Sequence, residues 1–184
     1  MKRFDSYRNR IITAAAVMLA AGLAGAAPAS AAPRNFPAAQ LITEINPQPQ
    51  RCLDVDAGTE GNVRTNVQLY DCRDANDFRQ GYQIFDQQSI PGRPFTEFKL
   101  RNQHTGKCLT YNVHGANGSP VWAQSCDQFG QGWTRETTST GFDQYVAVET
   151  DRLCLDVVNP DGHLRDGIDL FFCNGQPYNT WLTL

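Results

Sequence analysis

The sequence predicts an all-β fold built from three copies of one unit, arranged as a threefold barrel. Three observations predict it. No run of a dozen residues has helical periodicity, short apolar or alternating stretches are separated by Gly, Asn, Asp and Pro, and a cysteine-bearing pattern recurs three times. The stretches are Gln40–Ile45, Asn66–Tyr70, Phe95–Leu100, Val121–Gln124, Tyr145–Val148 and Ile168–Phe172.

Residues 1–31 read as an export segment. Lys2, Arg3, Arg8 and Arg10 precede an apolar run, Ile11–Ala27, and Pro28-Ala29-Ser30-Ala31 supplies small residues for cleavage after Ala31. The run is rich in Ala and falls short of the roughly 20 residues a spanning helix needs, so a cleaved signal peptide and a secreted chain are expected rather than membrane insertion. Export makes disulfides permissible, and the six cysteines are an even number. Residues 32–40 read as a flexible lead-in, and residues 41–184 as one domain.

The formal net charge of −3 comes from 16 basic and 19 acidic residues. Without the export segment, 16−4=12 basic and 19−1=18 acidic residues remain, a net charge of 12−18=−6. A partner for a phosphate backbone needs the opposite balance to release counterions, so nucleic acid is excluded as the expected partner.

The repeats align residue by residue. The first holds Arg51-Cys52-Leu53-Asp54-Val55, Gln68-Leu69-Tyr70-Asp71-Cys72 and Gln80-Gly81-Tyr82. The second holds Lys107-Cys108-Leu109-Thr110-Tyr111, Trp122-Ala123-Gln124-Ser125-Cys126 and Gln131-Gly132-Trp133. The third holds Leu153-Cys154-Leu155-Asp156-Val157, Asp169-Leu170-Phe171-Phe172-Cys173 and Asn179-Thr180-Trp181. Cysteines within a unit stand 72−52=20, 126−108=18 and 173−154=19 positions apart. Six cysteines allow 15 pairings. One rule, pairing within each repeat, uses all six and predicts Cys52–Cys72, Cys108–Cys126 and Cys154–Cys173, each closure removing unfolded-state entropy worth roughly 3 kcal/mol. The first unit is longer, and Asp86–Pro94 reads as its insertion. Tyr82, Trp133 and Trp181 are the expected core aromatics.

The repeated Cys-Leu-Asp-Val, Gln-Leu-Tyr-Asp-Cys and Gln-x-aromatic pattern resembles the ricin B-type (R-type) lectin domain, a β-trefoil also used by family 13 carbohydrate-binding modules of secreted bacterial glycosidases. The resemblance spans Leu41–Leu184 and implies a carbohydrate-binding protein with shallow sites for hydroxyl-rich sugars. A pyranose asks for a carboxylate to accept hydroxyl hydrogen bonds, an amide, and a ring for its C–H face. By resemblance, the first repeat supplies Asp54 as acceptor, Gln68 as amide, Tyr70 as stacking ring, Gln80 as support for Asp54, and Arg79 where the family has Asn. The second repeat departs at Thr110, Gln124 and Gly130, with Trp122 at the amide position. The third keeps Asp156 and Phe171, but has Asp169 at the amide position, Tyr178 at the Asn position and Asn179 at the Gln position.

Other chemistries fit less well. Asp54–Glu60 lacks the full ligand spacing of a calcium loop, His104, His114 and His163 are not at metal-ligand spacing, and no cofactor is implied. The scattered acids do not form the paired carboxyls of a glycosidase, and every cysteine is committed to a bridge, so no enzyme is expected. The alternative is an interaction or cell-targeting subunit of a secreted complex, resembling the trefoil subunits of AB-type toxins. Its protein partner would dock on Asp86–Pro94 and on Phe95, Phe129 and Phe142.

Overall fold

The computed structural model describes residues 36–45, 49–159 and 161–184; the export segment lies outside them. The first unit contributes β1 (Phe36–Thr43), β2 (Arg51–Val55), β3 (Thr65–Asp71) and β4 (Ile84–Ser89). The second contributes β5 (Phe98–Asn102), β6 (Cys108–Thr110), the two-residue β7 (Ser119–Pro120), β8 (Trp122–Gln124) and β9 (Trp133–Thr137). The third contributes β10 (Asp143–Ala147), β11 (Leu153–Val157), β12 (Ile168–Phe172) and β13 (Trp181–Thr183). Three short 3₁₀ turns are the only helical elements among the described residues, so no helix there is long and apolar enough to cross a membrane.

Six of these strands close a ring. β1 pairs with β4, β4 with β5, β5 with β9, β9 with β10, β10 with β13, and β13 with β1. The hairpins β2–β3, β6–β8 and β11–β12 hang from it through β1–β2, β5–β6 and β10–β11. A closed barrel carrying three equivalent hairpins is a β-trefoil, the fold the repeats predict. Closure removes the exposed sheet edges that would otherwise invite aggregation.

Alternation sets which side chains reach the core. In β5, Phe98, Leu100 and Asn102 are buried while Lys99 and Arg101 are only partly covered, the period of two expected of a strand. The core collects Leu53, Leu109 and Leu155 beneath the hairpins, with Phe85 second in β4 and Trp133 and Trp181 first in β9 and β13. The two indoles donate from Nε1 to equivalent carbonyls, Trp133 to Leu109 O at 3.3 Å and Trp181 to Leu155 O at 3.1 Å. Each buried ring thus satisfies its one polar atom. The three disulfides join Cys52–Cys72, Cys108–Cys126 and Cys154–Cys173, each clipping the ends of one hairpin.

Two expectations change. The segment read as a lead-in contains the start of β1, at Phe36 rather than Leu41, because the barrel needs a sixth strand and Gln40 N donates to Leu184 O at 3.0 Å. Asp86–Pro94 is also not simply an inserted loop, since Asp86–Ser89 lies in β4 with its residues in register with β5.

Candidate functional site

Strand register brings the repeat positions together. Asp54 lies opposite Gln68 across β2–β3, Thr110 opposite Trp122 across β6–β8, and Asp156 opposite Asp169 across β11–β12. Directly opposed side chains in an antiparallel pair are within contact range, and a residue two positions along shares the face. Tyr70, Gln124 and Phe171 therefore stand on the same faces as Gln68, Trp122 and Asp169.

In the first repeat, Gln68 Nε2 donates to Asp54 Oδ2 at 3.2 Å. Arg73 Nη1 donates to Asp54 Oδ1 at 2.8 Å, and the same guanidinium lies over the Tyr70 ring, 4.6 Å from its centroid. Asp54 is 2% exposed. Burial raises its pKa, opposed by the Gln68 bond and the Arg73 charge. These groups line an open depression of about 730 Å³ together with Phe78, Arg79, His104 and Arg165. The acidic stretch after Asp54 is a capped turn, Asp56 accepting from Gly58 N at 3.0 Å.

The third motif of the first repeat shifts by three residues. Gln83 Nε2 donates to Asp71 O at 2.9 Å, Gln131 Nε2 to Ser125 O at 2.7 Å, and Asn179 Nδ2 to Phe172 O at 3.1 Å. Each acceptor immediately precedes the second cysteine of its repeat. Gln83-Ile84-Phe85, not Gln80-Gly81-Tyr82, is therefore the counterpart of Gln131-Gly132-Trp133. Aromatic spacing agrees, with 133−85=48 and 181−133=48.

Gln80 is accordingly displaced from the supporting role, which passes to buried Gln83, a second amide near Asp54 beside that of Gln68. Tyr82, not Arg79, occupies the position equivalent to Gly130 and Tyr178. Tyr82 is buried, stacks on His104 with ring centroids 3.9 Å apart, and donates to Glu60 Oε2 at 2.7 Å. Arg79 sits on the rim, its guanidinium 5.2 Å from the Phe78 ring centroid. The true insertion follows Cys72. The amide stands 83−72=11 positions beyond the second cysteine in the first repeat, against 131−126=5 and 179−173=6 in the others. Sequence reasoning missed Arg73 and Gln83; the constant spacing of 48 was the signal for Gln83.

The second repeat has no carboxylate at the position of Asp54 and Asp156. Thr110 Oγ1 instead accepts from Gln131 Nε2 at 2.9 Å. Trp122 and Phe129 line a depression of about 390 Å³, and the Arg64 guanidinium lies 4.2 Å from a Trp122 ring centroid.

The third repeat differs electrostatically. Asp156 and Asp169 are 3% and 9% exposed, and Oδ1 of each is buried without a hydrogen-bond partner among the described residues. Burial, then the charge of Asp169, pushes Asp156 up to about 8, and burial pushes Asp169 up to about 6. Asn179 does not support Asp156. It is buried, accepting from Gln144 Nε2 at 2.7 Å and donating to Phe172 O and Asn174 Oδ1. Phe171 packs edge-on against Tyr178, 6.2 Å between centroids.

The carboxyl pair makes a pH prediction with a definite sign. Folded-state values above the unfolded value near 3.8 mean that the native protein holds protons the unfolded chain releases. Stability from this pair is full below about pH 4 and is lost as pH rises through about 6 and about 8. Asp169→Asn removes one charge and adds a donor for Asp156. It should raise stability at pH 8.5 by about 1–3 kcal/mol and flatten the fall in Tm between pH 5 and 8.5. A variant whose Tm tracks the wild type across that range would show that the pair does not titrate there.

Residues 96–183, the second and third repeats, match the family profile described as the ricin-type beta-trefoil lectin domain. The match supports the R-type lectin family. No curated protein matches the sequence. Among solved structures, the designed threefold-symmetric protein ThreeFoil is similar at 19% identity and TM-score 0.66, over 80% of this chain and 97% of that one. A ricin B-like lectin from Macrolepiota procera, solved in complex with lactose, is similar at 16% identity and TM-score 0.59, over 79% and 93%. A mosquitocidal holotoxin is similar at 16% identity and TM-score 0.66, but the 82% of this chain that aligns spans only 17% of the toxin. At these identities the structures speak for the trefoil fold.

Proposed function

We propose that this chain is an exported R-type lectin, binding hydroxyl-rich sugars through its hairpin faces without catalysing a reaction on them. The observation that carries the reading is the third-repeat pair. Two buried carboxyls directly opposed across β11–β12 each have an oxygen with no donor among the described residues, and Phe171 stands on the same face as Asp169. Asp156, pushed up to about 8, keeps a proton to donate near neutral pH, while Asp169, at about 6, is mostly an acceptor; a donor beside an acceptor suits vicinal hydroxyls, and an aromatic ring offers a surface for pyranose C–H groups. A binding role is further supported by the lectin-domain match and by the lactose-bound structural relative.

The test is retention on a glycan array that includes lactose and N-acetylgalactosamine. Wild-type protein should bind a subset of glycans, and Asp156→Ala should weaken that binding by about tenfold or more, the loss of roughly 1.4 kcal/mol of hydrogen bonding. Binding that survives both Asp156→Ala and Asp54→Ala would remove the hairpin faces from the reading. A second reading, a targeting subunit, draws on the toxin relative and on Phe95 and Phe129, which are 90% and 89% exposed. Phe142 is half-buried and does not extend that surface. Co-purification of a stoichiometric protein partner, with no glycan bound, would favour it.

A further inference from the structure

The first repeat has the more complete set of sugar-site residues and opens on a depression of about 730 Å³, yet the two contacts a sugar needs there are already taken. A sugar bound there has to donate to Asp54 and lie against Tyr70. Arg73 does both with one guanidinium, bonding Asp54 Oδ1 at 2.8 Å and covering the Tyr70 ring at 4.6 Å. A ligand satisfying the same two contacts must enter the same volume. We propose that Arg73 is an internal plug, occupying the first-repeat site as a stand-in for a sugar and leaving the third repeat as the site that works. This inference rests on the carbohydrate-binding reading.

The plug is anchored rather than draped. Arg73 Nη1 also donates to Arg79 O at 3.3 Å, its Nε lies 3.5 Å from Asp77 Oδ2, and its backbone N donates to Gln83 Oε1 at 2.8 Å. The Asp54 and Arg73 side chains are only 3% and 11% exposed, so the ion pair is weakly screened and costly to part. Asp77 and Arg79 belong to the extra residues between Cys72 and Gln83, so the insertion that lengthens the first repeat also holds the arginine in place.

The other repeats lack the device. The residue after the second cysteine is Asp127 in the second and Asn174 in the third. Asn174 is turned to its own loop, its Oδ1 accepting from Gln176 N at 3.0 Å and from Asn179 Nδ2 at 2.7 Å. Asp156 Oδ1 keeps no partner among the described residues. Opposite charge is thus supplied internally to the first carboxylate and withheld from the third.

A site open only part of the time binds with its affinity reduced by the open fraction, so removing the plug should reveal a new site. The experiment places full-length mature protein on the same neutral glycan array, followed by calorimetry with the best free sugar. Arg73→Asn copies the third repeat. Arg73→Gln serves as a second variant, since its amide can still donate to Asp54 but cannot cover the ring; near-UV circular dichroism checks that both fold. We expect binding to fall by about tenfold or more in Asp156→Asn and to recover by about tenfold in Arg73→Asn/Asp156→Asn relative to Asp156→Asn alone. That recovery should be lost again when Asp54→Asn is added. If wild type binds but neither Arg73 variant gains binding in the Asp156→Asn background, the plug is wrong and the lectin reading stands. Weaker binding by the Arg73 variants would instead make Arg73 part of the sugar contact and overturn the inference. No glycan binding by any variant overturns both.

Discussion

Phe85→Ala is expected to destabilise the protein by about 3–5 kcal/mol, the usual cost of emptying a buried aromatic position. Phe85 is 2% exposed and is the second residue of β4 inside the barrel core, where Trp133 and Trp181 begin β9 and β13. Barrel strands close around it, so the cavity left by truncation cannot collapse easily. Tyr82→Ala should cost about half as much. Its ring is buried too, but it stacks on partly exposed His104 and sends its hydroxyl to Glu60, so much of what it loses can be replaced by water. Urea denaturation of both variants at equal m-value measures the difference. If Tyr82→Ala proved the more damaging, the Gln80–Tyr82 alignment would be restored, and with it Arg79 at the position now given to Tyr82.

That contest shows where the sequence was readable. The cysteine spacing and the Leu-Asp-Val strands define local hairpins, and a hairpin's register follows from short-range pattern, so Asp54, Thr110 and Asp156 fell at equivalent positions. The third motif is degenerate in the first repeat, because Gln80-Gly81-Tyr82 and Gln83-Ile84-Phe85 both read Gln-x-aromatic. The constant spacing of 48 favours the second, and the amide's carbonyl partner before the second cysteine, a tertiary contact, decides it. Phe36–Gln40 carries no alternation and reads as a lead-in, yet its backbone is recruited to complete the ring. Arg73 was silent for a related reason. An arginine beside a cysteine signals nothing until the following loop folds it back over Tyr70. Residue types that would contact a sugar were legible; whether something internal already contacts them was not.

Gly130→Ala should be at least as damaging as the core truncation, by about 3 kcal/mol or more, although it adds one carbon and removes nothing. Gly130 has φ 72°, a left-handed conformation that costs a residue with a Cβ about 1–2 kcal/mol. Space is the larger difficulty, since a Cβ there would stand 2.0 Å from Tyr111 O, far inside van der Waals contact with a backbone atom. The chain cannot retreat without loosening the 2.8 Å bond from Tyr111 N to Gly130 O, a net contribution of about 1 kcal/mol. Gly141→Ala is the matched control, with φ 87° and nothing within 4 Å of its added carbon, and should cost only the conformational term. Equal thermal stability of the two variants would mean that the Gly130 loop does not press on Tyr111. A large difference ties the second repeat's chemistry to its backbone. The position held by Tyr82 and Tyr178 in the other repeats is closed to any side chain here, because Tyr111, fully buried where they have Val55 and Val157, draws the loop against its own carbonyl. The second repeat therefore lacks both the carboxylate and the room for a neighbouring polar side chain. Restoring Asp at Thr110 alone would not rebuild the arrangement seen on the other hairpins.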